Sequence, residues 1–377
     1  MRSTTKLITS LIFLLLFATT ALAQPVVVGA VVSQSGSHAS LAQDYHKGLE
    51  LWHEQVNAAG GLLGRKVELR VLDDGSEAVQ AGRRYAELIA QKADVLIGPY
   101  GSAASLMAGG EAERAQRVLI NAAAPAKALQ KRAGRYVFQV GAPNTAHGLG
   151  ALELAKAQGA SEVALLARDD PRAREMAEGA REAAAALGLA AKDVHLYRGA
   201  TADFAPYVEK AGAAPAWIAF GEARDAADMV RTFRRLGYAP KLFFAGGAAD
   251  PAFIKLVGQD AEHTLAAAEY DPRFATPGNR EFVTAFTKKW SAPPRAGAAQ
   301  AYAAGTVLAD AVRRAGSLEQ EKLRAALAES QAPTVLGQAP AVVQIQKGRP
   351  EIVWPAALKT ADVQPYPRWD ERRVLTK

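Results

Sequence analysis

Residues 26–73 read VVVGAVVSQSGSHASLAQDYHKGLELWHEQVNAAGGLLGRKVELRVLD, and this stretch predicts a strand, a helix and a second strand. The valine-rich run Val26–Val32 is typical of a strand that is buried on both faces in a parallel sheet. Apolar residues at helical spacing follow over Leu41–Ala58 and end at the glycine pair 60–61. Residues Arg65–Asp73 then form the second strand. A strand–helix–strand unit of this kind indicates a parallel sheet with helices packed against its faces.

The same alternation continues along the chain. We expect further strands at 95–98, 118–120, 163–166, 194–197, 216–220 and 242–245. We expect the helices between them at 78–91, from 102 onward, and at 146–158, 173–187, 204–211 and 222–236. Beyond Tyr270 the pattern changes to helices at 279–290, 298–315 and 318–330, followed by a hairpin of 341–346 and 352–354. The fold class is therefore α/β, with two doubly wound halves of similar size.

Composition excludes several classes of protein. The chain has 377 residues, of which 49% are hydrophobic and 22% charged, so it is neither disordered nor collagen-like nor a coiled coil. It has no cysteine, which excludes a thiol nucleophile, a cysteine-ligated metal and a lipid-modified N-terminal cysteine. The net charge of +7 is scattered without a long basic run, so we expect no nucleic-acid partner.

The first 23 residues have the pattern of a secretory signal peptide. Arg2 and Lys6 precede an apolar segment, and Ala21–Ala23 supplies a small-x-small site, so we expect cleavage after Ala23. An uncleaved membrane anchor is the other interpretation, but the apolar run of about 14 residues is shorter than the roughly 20 that a bilayer requires. The expected mature protein is soluble, carries a charge near +5 and resides in the periplasm.

No catalytic motif appears in the sequence. A phosphate-binding loop and a nucleophile elbow are both absent, and Gly148–Gly150 lacks the third glycine of a dinucleotide fingerprint. His46, Glu50 and His53 share one helix face. A metal site there is conceivable, but a solvated surface is the better interpretation. We therefore predict no enzyme activity, no catalytic residue, no cofactor and no metal.

Several stretches together resemble one protein family. Residues 54–69, EQVNAAGGLLGRKVEL, are close to the pattern N-A-A-G-G-x-x-G-R that follows the first helix in that family. IGPYGS at 97–102, PGNREF at 277–282 and QAYAA at 300–304 fit in the expected order. The chain is thus similar to the leucine/isoleucine/valine-binding family of type I periplasmic binding proteins, which serve ABC importers.

The resemblance implies two α/β lobes joined by a three-segment hinge, with a small-molecule ligand in the cleft between them. Crossovers near Gly141, Tyr270 and Gln338 would divide the chain. The N-terminal lobe would comprise residues 24–141 and 271–338, and the C-terminal lobe 142–270 and 339–377. The lobes would close on the ligand without chemistry, and the protein would act as a monomer that delivers the ligand to an ABC permease in the inner membrane.

The resemblance also implies a ligand site on the N-terminal lobe. Ser102 follows a strand and opens a helix, so its hydroxyl and amide match the position that holds the ligand's α-carboxylate, although an ordinary N-cap would look the same. The other expected ligand-binding residues of this lobe are Gln34, Ser35, Tyr100, Ala123 and Ala124.

On the second lobe, Arg172 and Glu222 fall where relatives place aromatic residues, and no acidic residue is found around Gly246. We expect all three positions to line the cleft. Glu222 could accept from a ligand ammonium group. Arg172 could pair with Glu222 or Asp170, or bind a second carboxylate, and surface salt bridging is the other interpretation.

The sequence leaves the ligand and the role open. The ligand could be a branched-chain, polar or acidic amino acid, an amide or an aromatic carboxylate. The alternative function is a sensory module of the same fold that acts on a membrane receptor or partner protein. A periplasmic hydrolase is a third class, which the missing nucleophile–base pair argues against.

Overall fold

A computed structural model gives the fold of residues 24–123, 135–191, 193–212, 214–332, 334–337 and 339–372. The predicted signal peptide, Ala124 and the predicted crossover residue Gln338 lie outside these described residues. The strands form two separate sheets, as the alternating pattern predicts.

The first sheet is parallel and has the strand order β2-β1-β3-β4-β5. Its strands are β1 (Val26–Val32), β2 (Val67–Asp73), β3 (Val95–Ile97), β4 (Leu119–Asn121) and β5 (Val137–Gln139). Strand β1 lies between β2 and β3 and is almost completely buried, which confirms the prediction made from its valine-rich run. Strand β5 was not predicted, because three residues are too few to show a period.

The second sheet has the order β12-β11-β10-β9-β8-β6-β7. Its strands are β6 (Val163–Arg168), β7 (Val194–Tyr197), β8 (Ala216–Phe220), β9 (Leu242–Ala245), β10 (Leu265–Ala268), β11 (Ala341–Gln346) and β12 (Arg349–Trp354). Strands β6 to β10 pair in parallel, whereas β11 is antiparallel to β10 and forms the expected hairpin with β12.

Helices connect the strands. They are α1 (Ala39–Ala58), α2 (Ala78–Ala90), α3 (Ser102–Arg114), α4 (Leu149–Ala157), α5 (Pro171–Ala186), α6 (Ala205–Ala211), α7 (Ala223–Leu236), α8 (Pro251–Val257), α9 (Asn279–Trp290), α10 (Ala296–Ala315), α11 (Gln320–Ala328) and α12 (Trp369–Arg372). Short 3₁₀ turns cover 144–146, 246–249, 258–261 and 356–358.

Several predicted helix boundaries differ from the structure, and three of them have a clear local cause. Helix α4 begins at Leu149 rather than Ala146, since a 3₁₀ turn occupies 144–146. Helix α7 begins after Glu222, whose amide donates to Asp225 at 2.9 Å and so marks the N-cap. Helix α11 begins after Glu319, whose carboxylate caps the first amides of the helix.

The segment after β10 returns to the first sheet. Helix α10 lies so close to α1 that a Cβ on Gly48 would stand 2.2 Å from the carbonyl oxygen of Ala298. The Tyr302 hydroxyl donates to Gln55 at 2.6 Å across the same contact. We therefore propose that the N-terminal lobe comprises residues 24–141 and 271–338, and the C-terminal lobe 142–270 and 339–377.

The described residues contain no helix that combines the length and apolar character needed to cross a bilayer.

Candidate functional site

The loop between β3 and α3 carries Tyr100 and Ser102 at the carboxyl edge of the first sheet. Gly101 has a φ of +93° and is the N-cap of α3, so the alternative interpretation of Ser102 as an ordinary N-cap is wrong. Ser102 is instead the first helical residue and is half-buried. The amides of the first helical turn have no acceptor within the helix and are suited to an anion.

Tyr100 lies in the loop between β3 and α3, beside Tyr45 of α1. Its ring packs edge-on against Tyr45, with the ring centres 6.3 Å apart. Burial, followed by the nearby carboxylate of Glu269, raises the pKa of Tyr100, while Arg172 and Arg295 act in the opposite direction. Glu269, whose charge contributes to this shift, contacts the first lobe through Gln300 at 2.8 Å.

The turn that follows β1 is hydrogen-bonded to the end of β2. The Ser35 hydroxyl donates to Asp73 at 2.6 Å, and the amide of Gln34 donates to the same carboxylate at 2.8 Å. Burial raises the pKa of Asp73, but these bonds and the amides of Gly75 and Ser35 outweigh it and hold the pKa below its ordinary value. The exposed Gln34 lines a separate cavity of about 470 Å³.

The backbone of Ala123 holds the loop that precedes Ser102. Its carbonyl accepts from the Gly101 amide at 3.1 Å, and the residue is buried. This bond fixes the backbone immediately before the start of α3. Ala124, the other residue expected in this loop, is outside the described part of the chain.

The second lobe contributes a cavity of about 480 Å³ at the carboxyl ends of β6, β8, β9 and β10. Its volume falls in the range of small-molecule sites. Apolar side chains of Met176, Phe220 and Phe244 form part of the lining. The polar and glycine lining residues include His147, Arg168, Asp170, Arg172, Glu222, Gly246, Asp250 and Glu269.

Arg168, which the sequence analysis missed, is the central cation of this wall. Its guanidinium lies 2.7 Å from Glu222, 3.6 Å from Asp225 and 3.7 Å from Asp170. The proposed pairing of Arg172 with Glu222 or Asp170 was therefore wrong, because Arg168 holds both carboxylates. Its position as the last residue of β6, at the edge where ligands bind, is the signal that could have identified it.

Glu222 projects from the N-cap of α7, and 71% of its side chain is exposed. Gly246 and Gly247 follow β9 and pack beside it. A Cβ on Gly247 would stand 2.1 Å from the carbonyl carbon of Glu222, so a side chain cannot be accommodated there. This close approach requires glycine at 247, whereas a Cβ on Gly246 would meet its nearest atom at an ordinary 3.7 Å.

Glu269, also missed from the sequence, lies between the lobes directly after β10. It accepts from Gln300 of α10 at 2.8 Å and from Arg172 at 3.3 Å, and the Nε2 atom of His147 lies 3.2 Å from it. It also lines a small pocket beside Gly141 and Gln300. Burial raises the pKa of Glu269, but His147, Arg172 and Gln300 outweigh it and hold this pKa below its ordinary value.

The lowered pKa of Glu269 predicts a pH-dependent contribution to stability. That contribution is complete above the ordinary carboxyl pKa and is lost as the pH falls through the lowered value. Glu269→Gln should lower the free energy of unfolding by about 1–3 kcal/mol at pH 6, because the neighbouring donors lose a charged acceptor.

Urea unfolding of both proteins between pH 6 and pH 3 checks this, and the difference between them should shrink toward low pH. A difference that stays constant over that range would show that the charge of Glu269 contributes nothing.

Within the described ranges, no three His, Asp or Glu side chains are grouped to hold a metal ion. The side chains on the helix face of His46, Glu50 and His53 have protein partners. His53 bonds to the Val67 carbonyl at 2.9 Å, and His46 lies 3.9 Å from Glu50.

A family model described as periplasmic binding protein matches residues 25–351. The Leu/Ile/Val-binding protein homolog 8 of Brucella suis is 29% identical over 303 residues, which cover 74% of each chain.

Two solved structures share the fold. LivJ, the branched-chain amino acid transporter substrate binding protein of Streptococcus pneumoniae, in complex with isoleucine, has a TM-score of 0.67 and 22% identity and covers 91% of this chain and 100% of its own. An ABC transporter solute binding protein of R. palustris, in complex with benzoate, has a TM-score of 0.66 and 21% identity and covers 90% of this chain and 98% of its own.

Proposed function

The chain belongs to the periplasmic binding protein family, and from this premise we propose that it is the substrate-binding protein of an ABC importer. It captures an amino acid or a related small carboxylate or amide by closure of the two lobes. After cleavage behind Ala23 it acts in the periplasm as a monomer and delivers the ligand to a permease in the inner membrane. No bond is made or broken.

We propose that the anion-accepting start of α3 and the polar cavity of the second lobe face each other across one cleft, and one contact between the lobes supports this. Glu269, which lines that cavity, accepts from Gln300 of α10 in the first lobe at 2.8 Å and from Arg172 at 3.3 Å. A small carboxylate can therefore touch both lobes at once. Contacts of this kind stabilise the closed arrangement over the open one.

We assign the ligand's carboxylate to the Ser102 hydroxyl and the first amides of α3. Tyr100 and Ala123 shape that end of the site. Glu222 accepts from a ligand ammonium group, because its exposed carboxylate belongs to a cluster with more acidic than basic side chains. The named relatives support a carboxylate ligand, since isoleucine and benzoate both carry that group.

The remaining expected positions have lesser roles in this proposal. Gln34 and Ser35 form the rim of the first lobe and hold its shape through Asp73. Gly246 allows the backbone of the second lobe to approach the ligand.

A thermal-shift panel of the twenty amino acids, their amides and small mono- and dicarboxylates tests the function. A ligand at one hundred times its dissociation constant adds about 2.7 kcal/mol to the stability of the folded state, so the melting temperature should rise by several degrees. The ligand recovered after incubation should be chemically unchanged. Absence of a shift across the whole panel, or conversion of the ligand, would contradict the proposal.

A further inference from the structure

We propose that Arg172 recognises a second anionic group on the ligand, so that the preferred substrate is an amino acid with an acidic side chain. This inference rests on the proposed function and names its substrate class. It depends on how the two arginines of the second-lobe cavity are partnered, since only one of them is free to bind a ligand.

Arg168 is already neutralised. Three carboxylates surround its guanidinium within 3.7 Å, and about a quarter of the side chain is exposed. Glu222 alone binds it at 2.7 Å. A ligand anion placed here would meet excess negative charge, whereas a ligand ammonium group would be favoured.

Arg172 is differently placed. Its side chain is 64% exposed, and among the described residues its hydrogen-bonding partner is Glu269, at the long distance of 3.3 Å. Glu269 also faces Gln300 at 2.8 Å and His147 at 3.2 Å, so it keeps two partners if Arg172 turns away. Most of the donors of Arg172 are therefore available, and a guanidinium can bind a carboxylate through two parallel bonds.

Closure of the cleft makes the free donors of Arg172 important for ligand selection. Arg172 lies in the first turn of α5, and its partner Glu269 contacts Gln300 of the opposite lobe at 2.8 Å, so closure removes water from around it. A guanidinium that loses water needs a good acceptor. An apolar side chain on the ligand leaves it with Glu269 alone, and an amide offers one neutral oxygen. A carboxylate side chain offers two charged oxygens and satisfies it best.

The arrangement of charged groups in the site matches one class of ligand. The α-carboxylate lies at Ser102, the ammonium group at Glu222 and the side-chain carboxylate at Arg172. A cavity of about 480 Å³ accommodates a molecule of this size.

Isothermal titration calorimetry with L-glutamate, L-glutamine, L-aspartate, L-asparagine and L-leucine tests the assignment. Each acid and its amide have nearly the same shape, so the difference in their affinities reports the charge. We expect the wild-type protein to bind an acidic amino acid at least tenfold more tightly than its amide. Arg172→Gln should weaken binding of the acid at least tenfold, change binding of the amide little and bring the ratio close to one.

Arg172→Lys keeps the charge and should retain part of the preference. Arg174→Gln is the matched control, because Arg174 lies on the same helix and pairs with Asp169 outside the cavity lining, and it should leave the ratio unchanged.

Tighter binding of leucine or of an amide by the wild-type protein would overturn this inference and leave the proposed function intact. A preference for the acid that survives in Arg172→Gln would overturn it equally. Failure of every amino acid and carboxylate to bind would instead refute the proposed function itself.

Discussion

Ser102→Asp should weaken binding of the ligand at least a hundredfold while leaving the protein folded. The substitution places a fixed carboxylate at the point where the ligand's own carboxylate is bound, and two like charges in a closed, dry cleft repel strongly. The fold should tolerate it, because a negative charge in the first turn of α3 interacts favourably with the helix dipole. Titration calorimetry measures the affinity, and thermal unfolding without ligand measures the stability.

Two further variants serve as comparisons for Ser102→Asp. Ser102→Ala removes only the hydroxyl and should cost roughly a factor of five, the equivalent of about 1 kcal/mol. Met107→Glu introduces the same charge on an exposed part of α3 and should leave affinity unchanged. Retention of near wild-type affinity in Ser102→Asp would place the ligand's carboxylate elsewhere.

Gly48→Ala should destabilise the protein by about 3 kcal/mol, a large effect for a single methyl group. The new Cβ would stand 2.2 Å from the carbonyl oxygen of Ala298, so α1 and α10 must separate. The change tests whether residues 271–338 return to the first lobe, because only that arrangement creates the contact. Chemical unfolding provides the measurement.

The matched control is Gly110→Ala in α3. A Cβ on Gly110 meets no other atom within 4 Å, so the same substitution should stabilise the helix by about 0.5–1 kcal/mol. Equal effects at the two positions would contradict the packing of α10 on α1.

The long, strongly apolar strands were predictable because their residues carry the signal themselves. Valines make up most of β1, and the pattern alone placed it in a buried parallel sheet. Strand β10 has the sequence LAAA, which favours a helix as readily as a strand. It is a strand because β11 offers it a complete partner, and that partner lies more than 70 residues further along the chain.

The site could be predicted only in part for the same reason. Ser102 was recognisable because a strand end and a helix start are adjacent in sequence. Glu269 was not, since its partners Gln300 and His147 are 31 and 122 residues away from it. The ion pair of Arg172 could not be assigned either, because two neighbouring arginines compete for the same carboxylates and only their positions in space separate them.

Closure of the two lobes around a ligand is the central claim, and a distance measured between the lobes tests it most directly. The natural chain contains no cysteine, so Val79→Cys on the first lobe and Leu256→Cys on the second provide two unique sites for spin labels. Both positions are exposed, at 57% and 42%. A second pair within one lobe, Leu196→Cys with Leu256→Cys, serves as the control.

Double electron–electron resonance should then be recorded with and without the ligand that gives the largest thermal shift. We predict that the distance between the lobes shortens and its distribution narrows on binding, while the pair within one lobe stays unchanged. An identical distribution between the lobes, with and without a ligand shown by calorimetry to be saturating, would contradict the account.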